Sequence, residues 1–201
     1  MSLLVKICGV TRESDVAAAV EAGANAVGFV FHEASHRNLT PARAGVLAAV
    51  LPPTVACVAV TLHPSQALVD RILGEFMPDV WQSDCLDLES IRLPEGIRCW
   101  PVLRSGSPAP TPLPRTVLFD SAISGNGMQS DWKTAARLAR STQLIIGGGL
   151  SPATVGNAVR EIRPIGVDVS SGVERSAGVK DPDLIRKFVA SARAAERDAG
   201  A

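Results

Sequence analysis

Residues 3–31 read LLVKICGVTRESDVAAAVEAGANAVGFVF and contain one complete unit of a pattern that repeats along the chain. The apolar run at residues 3–8 predicts a strand, and Thr11 is expected to cap a helix that ends near Gly23. A second apolar run at residues 26–31 predicts another strand. Both strands are nearly continuous in their apolar character, which is typical of parallel strands covered on both faces. The stretch therefore predicts a strand–helix–strand unit.

The same pattern continues to the end of the 201 residues. Further strands are predicted at residues 55–61, 79–82, 97–103, 116–120, 143–146 and 165–169. Helices are predicted to begin at Pro41 and Pro64, to form one weak turn at 87–91, and to cover 131–140, 151–162 and 182–195. Eight strands that alternate with helices favour an α/β fold, a single (β/α)8 TIM barrel domain over residues 1–201. A doubly wound open sheet is the alternative.

The unit after the fifth strand lacks a helical pattern. Residues 104–115 read RSGSPAPTPLPR, and four prolines at alternate positions exclude a regular helix. We expect a Pro-rich extended loop in place of the fifth helix. This loop would also explain how a barrel can form from 201 residues, when the usual length is about 250. An interdomain linker is the alternative interpretation, and it is disfavoured because no half of different composition follows.

Composition narrows the function classes. Twenty basic residues balance twenty acidic ones, so the chain lacks the excess of positive charge that is typical of nucleic-acid-binding proteins. The only aromatic residues are three tryptophans and five phenylalanines, which leaves few side chains for stacking on bases. No apolar run approaches the roughly 20 residues of a membrane span, and the first residues lack an export signal. We expect a cytoplasmic protein that binds a small molecule, without nucleic-acid or membrane partners. The cysteines are expected to be reduced thiols, with Cys57 and Cys99 as inert packing residues.

Reactive side chains cluster where the predicted strands end, which is where barrel enzymes carry their active sites. Cys8, Gln82 and Asp120 end strands, Asp168 lies near the end of the eighth, and Arg37 follows the second. Each could instead be a buried thiol, a loop cap or a solvated charge. Together they offer an acid, a base and anion-holding groups at one mouth of the barrel. The three histidines have no metal-ligand spacing and are interpreted as surface or loop residues.

Glycines and hydroxyl groups follow the last two strands. Residues 147–151 read GGGLS and are expected to lead into a helix capped by Ser151. Glycines let backbone N–H groups approach an anion, and a helix N-terminus adds partial positive charge. A pair of tight turns that require glycine is the alternative. Because two such loops follow adjacent strands, we favour a phosphate site; its candidate residues are Gly148, Gly149, Ser170, Ser171 and Gly172.

Four motifs occur in a fixed order: KICG at residues 6–9, GFVF at 28–31, GGL at 148–150 and DVSSGVE at 168–174. Together they resemble the phosphoribosylanthranilate isomerase family of tryptophan biosynthesis, and the likeness runs from residue 4 to about 193. The resemblance implies a (β/α)8 barrel that lacks the fifth helix, needs no cofactor or metal and is a monomer or a homodimer. The implied reaction is the Amadori rearrangement of N-(5-phosphoribosyl)anthranilate, a phosphosugar, to 1-(2-carboxyphenylamino)-1-deoxyribulose 5-phosphate.

The resemblance also implies roles for single residues. Cys8 matches the general base, Asp120 the general acid, and Arg37 the arginine that holds the anthranilate carboxylate. Gln82 matches a glutamine after the fourth strand, and Asp168 matches an acid beside the substrate. The phosphate loops of the family are matched by Gly148, Gly149, Ser170, Ser171 and Gly172.

Three segments depart from the family pattern. The family usually reads VQLHG after the fourth strand, where this chain has VWQSD at residues 80–84; the glutamine is retained, but the histidine and the glycine are not. The third strand ends in VTL at 60–62 instead of FVN. The family's GTGxxFDW is degraded to GNGMQSDW at 125–132. These departures predict a change on the side of the pocket that holds the aromatic group, and in the loop over it.

Two other functions stay open on the sequence alone. One is a related or dual-substrate sugar isomerase of the histidine pathway, which is disfavoured because that enzyme type carries an aspartate where this chain has Cys8. The other is a non-catalytic phosphosugar-binding barrel, which the altered segments at residues 81–84 and 125–130 suggest. Against it, the acid, the base, the arginine and the phosphate loops are all retained.

Overall fold

The computed structural model describes residues 2–123 and 127–200. Eight parallel strands form a closed barrel in which each strand pairs with the next and the eighth pairs with the first, as the sequence predicts. The strands are β1 (Leu4–Cys8), β2 (Ala26–Phe31), β3 (Ala56–Thr61), β4 (Val80–Asp84), β5 (Arg98–Arg104), β6 (Thr116–Asp120), β7 (Gln143–Ile146) and β8 (Gly166–Val169).

Seven helices accompany these strands in the described part of the chain. They are α1 (Glu13–Glu21), α2 (Pro41–Ala48), α3 (Gln66–Glu75), α4 (Cys85–Ser90), α5 (Trp132–Leu138), α6 (Val155–Ile162) and α7 (Pro182–Gly200). No helix lies between β5 and β6, where residues 105–115 form turns and extended backbone. The Pro-rich loop predicted in place of the fifth helix is therefore confirmed.

Alternation along the strands divides the buried residues into two layers. One set points into the barrel and packs around Trp100, Leu118 and Ile145. Their chain neighbours point outward and pack against the helices. In that outer layer Phe29 and Phe31 each meet the ring of Phe76 edge to face, with ring centroids 5.2 and 5.3 Å apart. Because both faces of each strand are buried, the strands read as continuous apolar runs.

Three helix starts differ from the sequence prediction. Thr11 does not cap α1; its hydroxyl donates to the carbonyl of Gly178, and the helix begins two residues later. The third helix begins after Ser65, whose hydroxyl accepts from the N–H of Leu68, and not at Pro64. Ser151 lies in a turn, and α6 begins only at Val155. In each case a tertiary or turn hydrogen bond decides where the helix begins.

A small unit after β8 was not predicted. A 3-10 turn at Ser171–Val173 leads into two short antiparallel strands, β9 (Glu174–Ser176) and β10 (Val179–Lys180). The last helix also continues past residue 195, where the sequence prediction ended it.

Cys57 is buried as expected, whereas Cys99 is exposed and is not a packing residue. Among the described residues, no helix combines the length and the apolar character needed to cross a membrane.

Candidate active site

The carboxyl ends of the strands surround a cavity of about 610 Å³. Six of the residues singled out in the sequence line it together: Cys8, Arg37, Gln82, Asp120, Asp168 and Ser170. The parallel barrel explains this convergence, because all strand ends of one polarity meet at one face. His32, His36 and His63 also line the cavity, from the loops after β2 and β3. The structure thus places the predicted acid and base in one enclosed space.

Cys8 lies at the end of β1 and is 7% exposed. Burial raises the pKa of its thiol, and the carboxylate of Asp168 adds to that effect. Lys6 opposes both: it lies two residues earlier on the strand and so projects from the same face. The Lys6 side chain is fully buried, and its ammonium interacts with the Cys8 sulfur. Sequence reasoning missed Lys6, although a lysine inside an apolar strand was a signal.

Asp168 on β8 is the partner that keeps Lys6 charged. Lys6 Nζ donates to Asp168 Oδ1 at 2.8 Å, across the pairing of β1 with β8. Burial disfavours the Lys6 ammonium, but the Asp168 carboxylate and the Cys8 sulfur together outweigh that effect, so the pKa of Lys6 is raised. Lys6 is therefore an ammonium throughout the neutral range, placed beside the thiol.

Arg37 is held by a carboxylate of the unit after β8. Its Nε donates to Glu174 Oε1 at 2.7 Å and its Nη2 to Glu174 Oε2 at 2.8 Å, a bidentate pair. Gly9 makes room for the arginine: its φ is +72°, and a Cβ there would lie 2.4 Å from Arg37 Cδ. Burial alone would raise the pKa of Glu174, but Arg37 and Lys180 lower it to about 2.

Lys180 on β10 is a second fully buried lysine. Its Nζ donates to Glu174 Oε1 at 2.8 Å, to Ser170 O at 3.0 Å and to Ser170 Oγ at 3.3 Å. Three acceptors match the three hydrogens of an ammonium. Burial lowers the pKa of Lys180, while Glu174 opposes that shift. Glu174 and Lys180 were not singled out from the sequence, although Glu174 ends the DVSSGVE motif.

Asp120 ends β6 on the far side of the cavity from β1. Its Oδ1 accepts from the N–H of Ser121 at 2.8 Å. A Cβ at Gly148 would lie 3.1 Å from that same oxygen and 2.7 Å from the Ser121 nitrogen. Gly148 has a φ of +80°, so both its conformation and its closeness to the Asp120 loop require glycine.

The two glycine-containing loops after β7 and β8 pack directly on each other. A Cβ at Gly172 would lie only 1.9 Å from the carbonyl oxygen of Leu150. Gly149 has a φ of +64°, and a Cβ there would lie 2.7 to 2.8 Å from backbone atoms of residues 127–129. Of the five predicted phosphate residues, Ser170 lines the cavity described above; Gly148, Gly149, Ser171 and Gly172 lie in the loops beside it. The expected helix N-terminus at Ser151 is absent, since that residue precedes α6 by a full turn.

Residues 80–84, which depart from the family pattern, divide by the face of β4 they occupy. Trp81 and Ser83 point away from the cavity and are buried, with hydrogen bonds to Thr61. Gln82 and Asp84 line the cavity. Asp84 forms a bidentate ion pair with Arg104 at 3.1 and 2.6 Å. The substitution therefore adds a carboxylate to this wall together with a compensating arginine, which the sequence did not reveal.

Gln82 carries the clearest sign of a bound molecule on this wall. It is 6% exposed, and its Oε1 is buried without a hydrogen-bond partner in the described part of the chain. A buried acceptor left unpaired costs about 1–3 kcal/mol, so a donor to this atom is expected, either a water molecule or a group of a bound ligand. No group of three or more potential metal ligands occurs within residues 2–123 and 127–200. Gly125 and Asn126 of the altered loop lie outside the described residues.

Comparison with known proteins points in one direction. The family model described as N-(5'-phosphoribosyl)anthranilate (PRA) isomerase matches residues 5–191. The N-(5'-phosphoribosyl)anthranilate isomerase of Paracoccus denitrificans is 37% identical, and the match covers 96% of this chain and 99% of that protein.

Two solved structures extend the comparison to the fold. A phosphoribosylanthranilate isomerase in complex with reduced 1-(o-carboxyphenylamino)-1-deoxyribulose 5-phosphate superposes with a TM-score of 0.78 at 28% identity, covering 96% of this chain and 99% of that one. Monomers generated by mutation from the dimeric enzyme of Thermotoga maritima give the same TM-score, identity and coverage. With a family model that covers most of its length and a relative that is similar over nearly all of it, the chain belongs to the phosphoribosylanthranilate isomerase family.

Proposed function

We propose that this barrel catalyses the Amadori rearrangement of N-(5-phosphoribosyl)anthranilate to 1-(2-carboxyphenylamino)-1-deoxyribulose 5-phosphate, with Cys8 as general base and Asp120 as general acid. The observation that carries the assignment of roles is their placement on two walls of one cavity. Cys8 ends β1 and Asp120 ends β6, with β7 and β8 between them. A sugar bound between the two walls presents opposite sides to the acid and the base.

The reaction needs two proton transfers. Asp120 gives a proton to the furanose ring oxygen, and the C1–O bond breaks to leave a Schiff base between C1 and the anthranilate nitrogen. Cys8 then removes the proton from C2, and the electron pair moves to give the enolamine, which tautomerises to the ketone. The active forms are the thiolate and the carboxylic acid, the reverse of the states that free Cys and Asp hold at neutral pH.

The remaining residues of the cavity bind the substrate in this proposal. Arg37 holds the anthranilate carboxylate from a position that Glu174 makes rigid. Gln82 offers its unpaired Oε1 to a donor of the substrate, and Asp168 lies beside the sugar. The phosphate is held by backbone N–H groups and hydroxyls of the paired loops after β7 and β8; the residues are Gly148, Gly149, Ser170, Ser171 and Gly172.

We further propose that residues 1–201 form one domain, in keeping with the closure of β8 on β1. The protein is a monomer or a homodimer, as the Thermotoga relative is known in both forms. We assign it to the cytoplasm because its four cysteines are free thiols, which persist in reducing compartments.

The loss of anthranilate fluorescence tests the function. The unstable substrate is generated in place from anthranilate and phosphoribosyl pyrophosphate by a coupled transferase. We expect turnover by the wild type and a loss of about 10²–10⁴-fold or more in Cys8→Ala and in Asp120→Asn, because each variant removes one proton-transfer group. Binding of the reduced product analogue is expected to survive in both.

Cys99→Ala is the matched control, since it removes an exposed thiol outside the cavity, and it is expected to keep wild-type turnover. Near-normal turnover in Cys8→Ala would keep the activity and reject Cys8 as the base. A folded wild type without turnover would reject the function and direct the assay to the histidine-pathway substrate.

A further inference from the structure

In the described part of the chain, five charged side chains lie in the neighbourhood of Cys8, of which Lys6 and Lys180 are buried and the other three are partly buried. Lys6 comes from its own strand, Asp168 from β8, Glu174 from β9, Lys180 from β10, and Arg37 from the loop after β2. Their side chains are between 0% and 12% exposed. They are joined in two linked groups, Lys6 with Asp168, and Glu174 with both Lys180 and Arg37.

The charges of this cluster do not cancel. It contains three cations and two anions, so with Cys8 as a neutral thiol it carries one excess positive charge. A buried net charge is unfavourable, because little solvent is available to compensate it. Ionisation of Cys8 supplies the missing negative charge and makes the cluster neutral. The excess positive charge of the cluster therefore opposes the effect of burial on the Cys8 thiol.

Of the two buried lysines, Lys6 is the one placed to contact the sulfur. Lys180 already donates to three oxygen atoms. Lys6 donates to Asp168 Oδ1, and its ammonium has further hydrogens directed elsewhere. On the neighbouring strand, a Cβ at Gly28 would lie 3.0 Å from Cys8 Sγ and 3.1 Å from Lys6 Nζ. Glycine at this position leaves the space in which the ammonium and the sulfur face each other.

We propose that Lys6 is a positioning residue whose ammonium stabilises the thiolate form of Cys8 against the effect of burial, with Asp168 fixing that ammonium in place and limiting its effect. The proposal rests on the function of Cys8 as the general base. It assigns to the lysine of the KICG stretch an electrostatic task in the reaction and not only a place in the barrel core.

The three groups act on the Cys8 thiol in different directions. Burial raises its pKa, Lys6 lowers it, and Asp168 raises it. Loss of the Lys6 charge must therefore raise the thiol pKa further, whereas loss of the Asp168 charge must lower it. A merely structural disturbance would not raise the pKa of the Cys8 thiol in one variant and lower it in the other.

The test is a pH titration of Cys8 by thiolate ultraviolet absorbance, in protein whose Cys57, Cys85 and Cys99 are replaced by serine. In Lys6→Met we expect the midpoint to rise by at least about 1 pH unit, a tenfold loss of thiolate at a given pH below the midpoint. In Asp168→Asn we expect the midpoint to fall. Lys187→Met removes an exposed lysine of α7 and is expected to leave the midpoint unchanged.

A folded Lys6→Met variant with an unchanged or lower midpoint overturns the proposal. Should Lys6→Met fail to fold, which circular dichroism reveals, Lys6→Gln, which removes the charge and keeps a polar side chain, decides: an unchanged or lower midpoint overturns the proposal. The titration uses no substrate, so its outcome is independent of turnover. A protein that isomerises the substrate but shows no opposite shifts would lose this inference alone, and the reverse result would reject only the proposed function.

Discussion

At the scale of single residues, the site places a thiol where two physical effects oppose each other. The end of β1 lies in the barrel interior, so Cys8 is desolvated and its neutral form is favoured. Lys6 supplies the countercharge from the same face of the strand. The balance between them sets how much thiolate the enzyme holds at a given pH, and therefore how fast the proton at C2 can be removed.

This balance predicts the pH dependence of the Cys8 thiol. Because burial outweighs Lys6 and the pKa of Cys8 stays raised, the thiolate fraction still increases with pH above the range of a free thiol, about 8.5. We expect the rate at which iodoacetamide alkylates Cys8 to rise with pH through the neutral and moderately alkaline range and to level off only above that value. The measurement is the alkylation rate of Cys8 at a series of pH values with protein that stays folded throughout. A plateau already reached below neutral pH would contradict the raised pKa.

At the scale of elements, the strands could be predicted because a parallel strand that is buried on both faces forms a nearly continuous run of apolar residues in the sequence. The starts of α2 at Pro41 and α7 at Pro182 were also predicted correctly. Those of α1 and α6 were not, because the Thr11 hydroxyl donates to the distant Gly178 carbonyl and Ser151 lies in a turn.

The unit β9–β10 was not predicted either, because its strands are too short to show a periodic pattern. The roles of Glu174 and Lys180 on these strands depend on their contacts with Arg37 and Ser170, which only the folded structure shows.

The predicted site residues were easier to find than their supports. Cys8, Asp120 and Asp168 could be identified because a strand end is recognisable in the sequence and the barrel brings all strand ends to one face. Lys6 interrupts an apolar strand, which hints at a special role, but neither its burial nor that of Lys180 is evident until the carboxylate partner of each lysine is located.

The packing between the two glycine loops gives a prediction at this scale. In Gly172→Ala the new methyl group would lie 1.9 Å from the Leu150 carbonyl oxygen, so the loop after β8 must move away from the loop after β7. Because both loops are proposed to hold the phosphate, we expect KM to rise about tenfold or more, as for the loss of a charge-assisted hydrogen bond. Steady-state kinetics of the purified variant measures this.

Gly74→Ala is the control for that experiment. Gly74 lies on the exposed face of α3 with open space around its Cα, so alanine is accommodated and favours the helix by about 0.5–1 kcal/mol. We expect its KM to be unchanged and its thermal midpoint to be equal or higher. A Gly172→Ala variant with wild-type KM would show that the contact between the loops is not needed for phosphate binding.

At the scale of the whole molecule, the barrel carries the proposed active site at one face and the contacts between the first and last segments of the chain at the opposite face. The carboxyl ends of the strands hold the cavity and the charged cluster. At the opposite face, α7 packs on α1 and α6 and reaches the chain before β1. Arg193 of α7 is the main polar link there, because it donates to the carbonyl of Leu3, to Asn25 Oδ1 at 2.6 Å and to Glu196 Oε2 at 3.2 Å.

This separation predicts that Arg193→Ala changes stability and not catalysis. The variant removes hydrogen bonds that join α7 to the chain just before β1 and β2, and it also removes an ion pair with the partly exposed Glu196 within α7. We expect a loss of about 1–2 kcal/mol in the free energy of unfolding, which lowers the Tm of a chain of this length by roughly 2–8 °C. The value of kcat/KM at 25 °C should stay within about twofold of wild type, because the cavity lies at the other end of the barrel. Arg197→Ala, an exposed position on the same helix, should change neither quantity. Calorimetry and the fluorescence assay on the same preparations measure both, and a fall in kcat/KM without a fall in Tm would mean that the two faces of the barrel are coupled.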